Sequence, residues 1–259
     1  MSVARQASRL EASVRAGDGL KLVPYLMAGY PDVPRSIEQG RAYARAGVAA
    51  IEVGIPYSDP LADGPVVQRA GKVALDGGIT MRGGLHVAAE VAREGVPVVL
   101  YTYVNPILAL DPRRFAAEAA EAGVSGVIVP DLPAEESEPV ASWLRSAGLD
   151  TIFLVAPTSP GSRVASIVER CTGFVYCVTV TGVTGPRAEL PPGLDDLLAR
   201  VREATPLPVA AGFGISRPQH LAQLRGKVDA AVVASALLDL VHHGEDPTSL
   251  VEELLAGCR

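Results

Sequence analysis

Lysine is almost missing from this chain. Three occur in 259 residues, Lys21, Lys72 and Lys227, and histidine is little commoner, with four: His86, His220, His242 and His243. Positive charge is in deficit overall, with a formal net charge of −6 and an isoelectric point near 5.3. That balance argues against nucleic-acid binding, which draws on a basic patch to displace counterions from phosphates. No apolar run reaches the ~18 residues of a membrane span, so no membrane partner is expected. Residues 1–15 form an arginine-bearing amphipathic stretch, expected as an extra N-terminal helix. It has no apolar signal core, so a cytoplasmic location is expected. Cysteine is scarce too: Cys171, Cys177 and Cys258. They show no zinc spacing, fit a reducing compartment, and read as ordinary small apolar residues. A phosphate-binding Walker loop and a Gly-x-Ser-x-Gly nucleophile elbow are both missing.

What is present is a regular alternation. Short β-rich runs recur at residues 22–27, 49–53, 98–101, 126–129, 151–155, 174–178, 208–211 and 230–233. Most are continuously apolar, the pattern of parallel strands covered on both faces. Between them lie segments rich in Ala, Arg, Glu and Leu, including 36–46, 112–122, 134–147 and 192–204. Strand and helix alternating eight times predict an α/β fold of the (β/α)8 TIM-barrel type, as one domain over 1–259. An open doubly wound sheet is the competing architecture.

Barrel active sites lie at the C-terminal ends of the strands, so strand order sorts the chemistry. Lys21 and Lys227 precede strands and belong to the opposite face, while Lys72 falls on a helix. A lysine–imine aldolase is therefore disfavoured. All four histidines fall in predicted helices, as solvated side chains, which disfavours a three-histidine zinc site; no metal is expected. Carboxylates and hydroxyls remain at the correct face, pointing to acid–base chemistry.

Strand seven runs into Gly212-Phe213-Gly214-Ile215, and strand eight into Ala234-Ser235. Loops at these two places commonly form a barrel's phosphate site, where glycines admit close approach and helix-start N–H groups meet the anion. Gly212 and Gly214 alone would equally make a tight turn; the pairing with Ala234-Ser235 favours phosphate.

The most specific stretch is Ile51-Glu52-Val53-Gly54-Ile55-Pro56-Tyr57-Ser58-Asp59-Pro60-Leu61-Ala62-Asp63-Gly64-Pro65. It begins as a buried strand carrying an acid, Glu52, near its end. Pro56 and Pro60 then enforce a loop with two more acids, Asp59 and Asp63. An acid inside an apolar strand is costly without a task or a partner. This run resembles the signature of the tryptophan synthase alpha subunit. Similarity extends over about residues 20–240, through residues 24–31, Tyr103-Val104-Asn105-Pro106, Asp131-Leu132-Pro133, the glycine-bearing loop 181–185 and Gly212-Phe213-Gly214-Ile215.

The resemblance implies a lyase of the last steps of L-tryptophan biosynthesis, cleaving indole-3-glycerol phosphate to indole and glyceraldehyde 3-phosphate. By the same similarity Glu52 is the general acid/base and Asp63 accepts a hydrogen bond from the indole N–H. Tyr25, Tyr103 and Tyr176 line the indole pocket. Thr184, on a mobile loop, closes over substrate and orients Asp63, and Gly185 joins Gly212, Gly214, Ala234 and Ser235 at the phosphate. A tied-down structural carboxylate is the plain alternative for Glu52, a turn-capping role for Asp63, and ordinary core packing for the tyrosines. The family usually has glycine where Ala234 stands, and alanine resists positive φ. Asp59 would face a partner, the pyridoxal-phosphate beta subunit, in an alpha2beta2 tetramer; this chain itself would hold no cofactor. A free-standing indole-releasing lyase and a non-catalytic activating subunit are the competing readings.

Overall fold

A computed structural model describes residues 6–178, 193–212 and 214–258. The strands are β1 (Lys21–Met27), β2 (Ile51–Gly54), β3 (Val98–Tyr101), β4 (Val124–Ile128), β5 (Asp150–Ile152), β6 (Leu154–Val155), β7 (Val175–Val178), β8 (Val209–Gly212) and β9 (Ala230–Val233). Every pairing is parallel, in the order β5-β4-β3-β2-β1-β9-β8-β7-β6. The sheet's two ends, β5 and β6, are separated in sequence by Phe153 alone. They are one barrel position in two pieces, the first paired to β4 and the second to β7. The barrel therefore closes through the chain itself, which is the expected (β/α)8 architecture and not an open sheet.

Strand residues alternate between two cores. One set faces the helices and forms the large outer core. The other points inward: Val23, Ala50, Val99, Ile128, Ile152, Phe174, Ala210 and Ala230 fill the barrel's interior. Leu10 and Val14, from the N-terminal helix Arg9–Arg15, complete this interior cluster. Ser8 caps that helix, and its Oγ also donates to buried Asp150 at 2.5 Å, while Ser13 Oγ donates to the Ala49 carbonyl at 2.6 Å. The helix plugs the N-terminal mouth, leaving the C-terminal mouth as the open one.

Helix boundaries follow local chemistry. Asp32 caps Val33–Ala46 by accepting from Arg35 N at 2.8 Å, and Gly47 ends it at φ +88°. The helix expected over 134–147 divides into a 3-10 turn, Ala134–Glu136, and a helix, Glu138–Ser146. Pro139 is the cause: it lacks the N–H an interior helical position supplies, and so sits in the first turn of a new helix.

Candidate active site

The period of two that fills the barrel also builds its cavity. Two residues beyond each interior side chain stand Tyr25, Glu52, Tyr101, Pro130, Leu154, Tyr176, Gly212 and Val232, and all of them line one cavity of about 290 Å³. Its remaining lining comes from the acidic loop (Ala62, Asp63, Gly64, with Val67), from Val178 at the end of β7, and from the segments after β8 and β9 (Gly214, Ile215, Ala234, Ser235). A larger cleft of about 600 Å³ lies between helix Val33–Ala46 and residues 241–252. Its charged side chains, Arg35, Glu38, Arg45, Glu245 and Asp246, are solvated, so the strand-end cavity is where buried chemistry is possible.

Glu52 is 3% exposed, and among the described residues its Oε2 has no hydrogen-bond partner. Burial, and secondarily the Asp63 charge, push its carboxyl up from 4.5 to about 8. It is thus a neutral acid, able to donate a proton at physiological pH.

Asp63 differs in kind. The helix Pro65–Asp76 begins at Gly64 with no side-chain cap, so Asp63 is not the turn-capping residue of the plain alternative. Instead its Oδ1 accepts from the Tyr101 hydroxyl at 3.0 Å. Desolvation raises it from 3.8 to about 6, while the hydroxyls of Tyr101 and Tyr103 pull it down. Two acids share one cavity, and burial raises Glu52 further than Asp63, so Asp63 is the more readily ionised of the two.

Small residues make room for the tyrosine walls. A Cβ on Gly54 would sit 1.8 Å from Tyr25 Oη, and one on Gly212 would sit 2.4 Å from Tyr176 Oη. Gly212 therefore has a packing reason in addition to any ligand. Gly214 takes φ +42°, which glycine tolerates. Helix Ser235–His242 starts with no side-chain cap, and its first N–H groups lack intrahelical acceptors. Ala234 precedes it at φ −122°, so the positive φ that alanine would resist is not adopted.

The other expected residues fall as follows. Tyr103 is buried but stands behind the cavity wall: its hydroxyl accepts from Ala62 N at 3.1 Å and its ring packs on Tyr57 at 5.2 Å. Asp59 is exposed on the same loop as Asp63. Thr184 and Gly185 lie outside the described residues. Lys21 is bonded to the carbonyls of Gly17, Asp18 and Gly19, Lys72 to Asp76, and Lys227 to Asp195, all away from the cavity. His220 departs from the solvated reading: it is buried, and its Nδ1 accepts from Ser216 N at 3.2 Å, bracing the loop after β8. Sequence reasoning missed Tyr101. The signal was available, since Tyr101 follows inward-facing Val99 by two.

Among the described residues, no helix is long and apolar enough to cross a membrane. Residues 12–259 match the family model described as "Tryptophan synthase alpha chain". The chain is 43% identical over 255 residues to the tryptophan synthase alpha chain of Deinococcus radiodurans, covering 97% of this chain and 92% of that one. To that of Solibacter usitatus it is 42% identical over 234 residues, 90% and 88% of the two chains. A solved chain of Mycobacterium tuberculosis tryptophan synthase superposes with TM-score 0.92 at 39% identity, covering 98% and 99%. A mutant tryptophan synthase alpha-subunit from Pyrococcus furiosus does so with TM-score 0.85 at 37% identity, covering 91% and 98%. With the barrel, the paired acids and these likenesses together, the chain belongs to the tryptophan synthase alpha chain family.

Proposed function

We propose that the strand-end cavity cleaves indole-3-glycerol phosphate to indole and glyceraldehyde 3-phosphate, a metal-free carbon–carbon lyase reaction. The observation that carries this reading is the pairing of two acids, Glu52 and Asp63, in one strand-end cavity, with burial raising the Glu52 carboxyl above that of Asp63. Glu52 delivers its proton to the ring carbon bearing the side chain. Positive charge then develops on the ring nitrogen, whose N–H donates to Asp63. Glu52, now a carboxylate, takes the proton of the adjacent side-chain hydroxyl. The carbon–carbon bond breaks, its electron pair returns to the ring, and the hydroxyl carbon leaves as the aldehyde. Tyr25 and Tyr176 supply flat apolar wall for the indole.

The phosphate rests against the end of β8, around Gly212 and Gly214, and on the backbone N–H groups of Ala234 and Ser235 at the helix start, where the unpaired donors of the first turn and the helix dipole favour an anion. By family likeness Thr184 orients Asp63 and Gly185 adds a donor; both lie outside the described residues. Exposed Asp59 belongs to the face that meets a beta subunit. That subunit carries the pyridoxal phosphate, receives the indole, and completes an alpha2beta2 assembly in the cytoplasm.

The test is indole release from indole-3-glycerol phosphate, with and without a beta subunit. The parent chain is expected to be slow alone and faster with its partner, because a partner favouring the competent state shifts that equilibrium. Glu52→Gln should lose about 10²–10⁴-fold under both conditions. A parent that is fast alone and indifferent to the beta subunit would be a free-standing lyase; no turnover in either condition would leave only an activating role.

A further inference from the structure

Asp63 hangs on a proline-bounded loop, where no strand ladder aims its side chain. Its backbone N–H reaches the Pro60 carbonyl at 3.1 Å, which holds the turn but not the carboxylate. The carboxylate is instead met by the hydroxyl of Tyr101, 3.0 Å from Oδ1, with the Tyr103 hydroxyl as a lesser second donor. Tyr101 is well placed to hold it. It ends β3 opposite Gly54 of β2, and its ring meets Tyr25 edge-on at 6.2 Å and Tyr103 edge-on at 6.3 Å. Burial pushes its phenol far above the ordinary tyrosine range, so it stays a hydrogen donor.

Two acids in one cavity cannot both ionise cheaply; burial falls harder on Glu52, and hydrogen-bond donors favour ionisation of Asp63. The ionisable groups felt at this point are Tyr25 on β1, Glu52 on β2, Tyr101 and Tyr103 at the end of β3, and Tyr176 on β7. Among the described residues Glu52 Oε2 has no donor. We propose that Tyr101 is a positioning residue for this reaction: its hydroxyl aims the Asp63 carboxylate into the cavity and keeps it the charged member of the acid pair. This rests on the reaction proposed above, in which a charged, oriented Asp63 must be waiting when the ring nitrogen becomes positive.

Tyr101→Phe keeps the ring contacts and removes the donor. Two readouts are measured on the full chain. One is the pH dependence of kcat/KM for indole release with the beta subunit bound. The other is the carboxyl 13C titration of Asp63, assigned with Asp63→Asn. Both midpoints should move up by about one pH unit, the worth of one hydrogen bond to a charged group. Tyr101→Met, which also gives up the ring, should shift the titration in the same direction. A purely structural role would lower activity at every pH without moving either midpoint. Midpoints within about 0.2 unit of the parent in both variants would overturn the inference. If the parent releases no indole at any pH, the proposed reaction fails, and the Asp63 titration still decides what Tyr101 does.

Discussion

Replacing Glu52 by glutamine should make the protein more stable while it removes the activity, and the gain should grow with pH. Glu52 titrates near 4.5 in an unfolded chain and about 8 in the folded one. A raised acid costs nothing while both states are protonated. As pH climbs past 4.5, the unfolded chain ionises and the folded one does not, so stability drains away until the folded group also ionises near pH 8. At 1.36 kcal/mol per unit, the penalty is about 1 kcal/mol at pH 5 and about 3 kcal/mol at pH 7. Glutamine does not ionise, and Oε2 has no partner to lose among the described residues. The variant's advantage should therefore widen by ~2 kcal/mol between those pH values, a difference in Tm shift of roughly 4–8 °C for a chain of this size. Asp63 titrates in parent and variant alike, so it largely cancels. Urea unfolding of both proteins across pH 5–8 measures the gap. A gap that stays flat with pH would mean Glu52 is charged and paired in the folded protein, and the neutral-donor reading would fall.

Three further substitutions test the phosphate loop and the tyrosine wall. Gly214→Val puts a β-branched residue at φ +42° beside the proposed phosphate site; KM for substrate should rise about tenfold or more, from ~1–3 kcal/mol of backbone strain. Arg217→Ala, at an exposed cap on the next helix, should leave KM within about twofold, as surface changes do; steady-state kinetics of both variants decide whether backbone or cation holds the phosphate. Gly54→Ala drives a methyl into the Tyr25 hydroxyl, which is buried and packed on Tyr101. It should cost about 1–3 kcal/mol in urea unfolding, the usual penalty of overpacking, and unchanged stability would mean that Tyr25 is free to move.

The barrel was legible because parallel strands covered on both faces announce themselves as apolar runs, and eight of them separated by helical segments leave few topologies. β3 and β9 fall where the apolar runs place them. The fifth position reads as one continuous run, yet it divides at Phe153. Hydrophobicity records burial, and burial continues across the place where the segment exchanges β4 for β7 as partner. Helix Glu138–Ser146 was blurred for a related reason: Ala134, Val140 and Ala141 are all buried and carry the apolar pattern across the break at Pro139.

The site was legible along the strands and obscure between them. Glu52 stands out because an acid in an apolar strand is improbable without a reason, and its position relative to the strand end follows from a period of two. That same period, carried from Val99 to Tyr101, would have placed a third tyrosine in the cavity beside Tyr25 and Tyr176. Nothing local says that Tyr101 meets Asp63, because one ends β3 and the other follows β2 by nine residues of irregular loop. That contact depends on how the loop folds back over the strand ends. Strand periodicity therefore finds Glu52, the proposed proton donor, whereas Asp63, the acid proposed to stay charged, is fixed by a tertiary contact. Its identity as the charged partner comes from the hydroxyl it meets in the folded state, not from its neighbours in the chain.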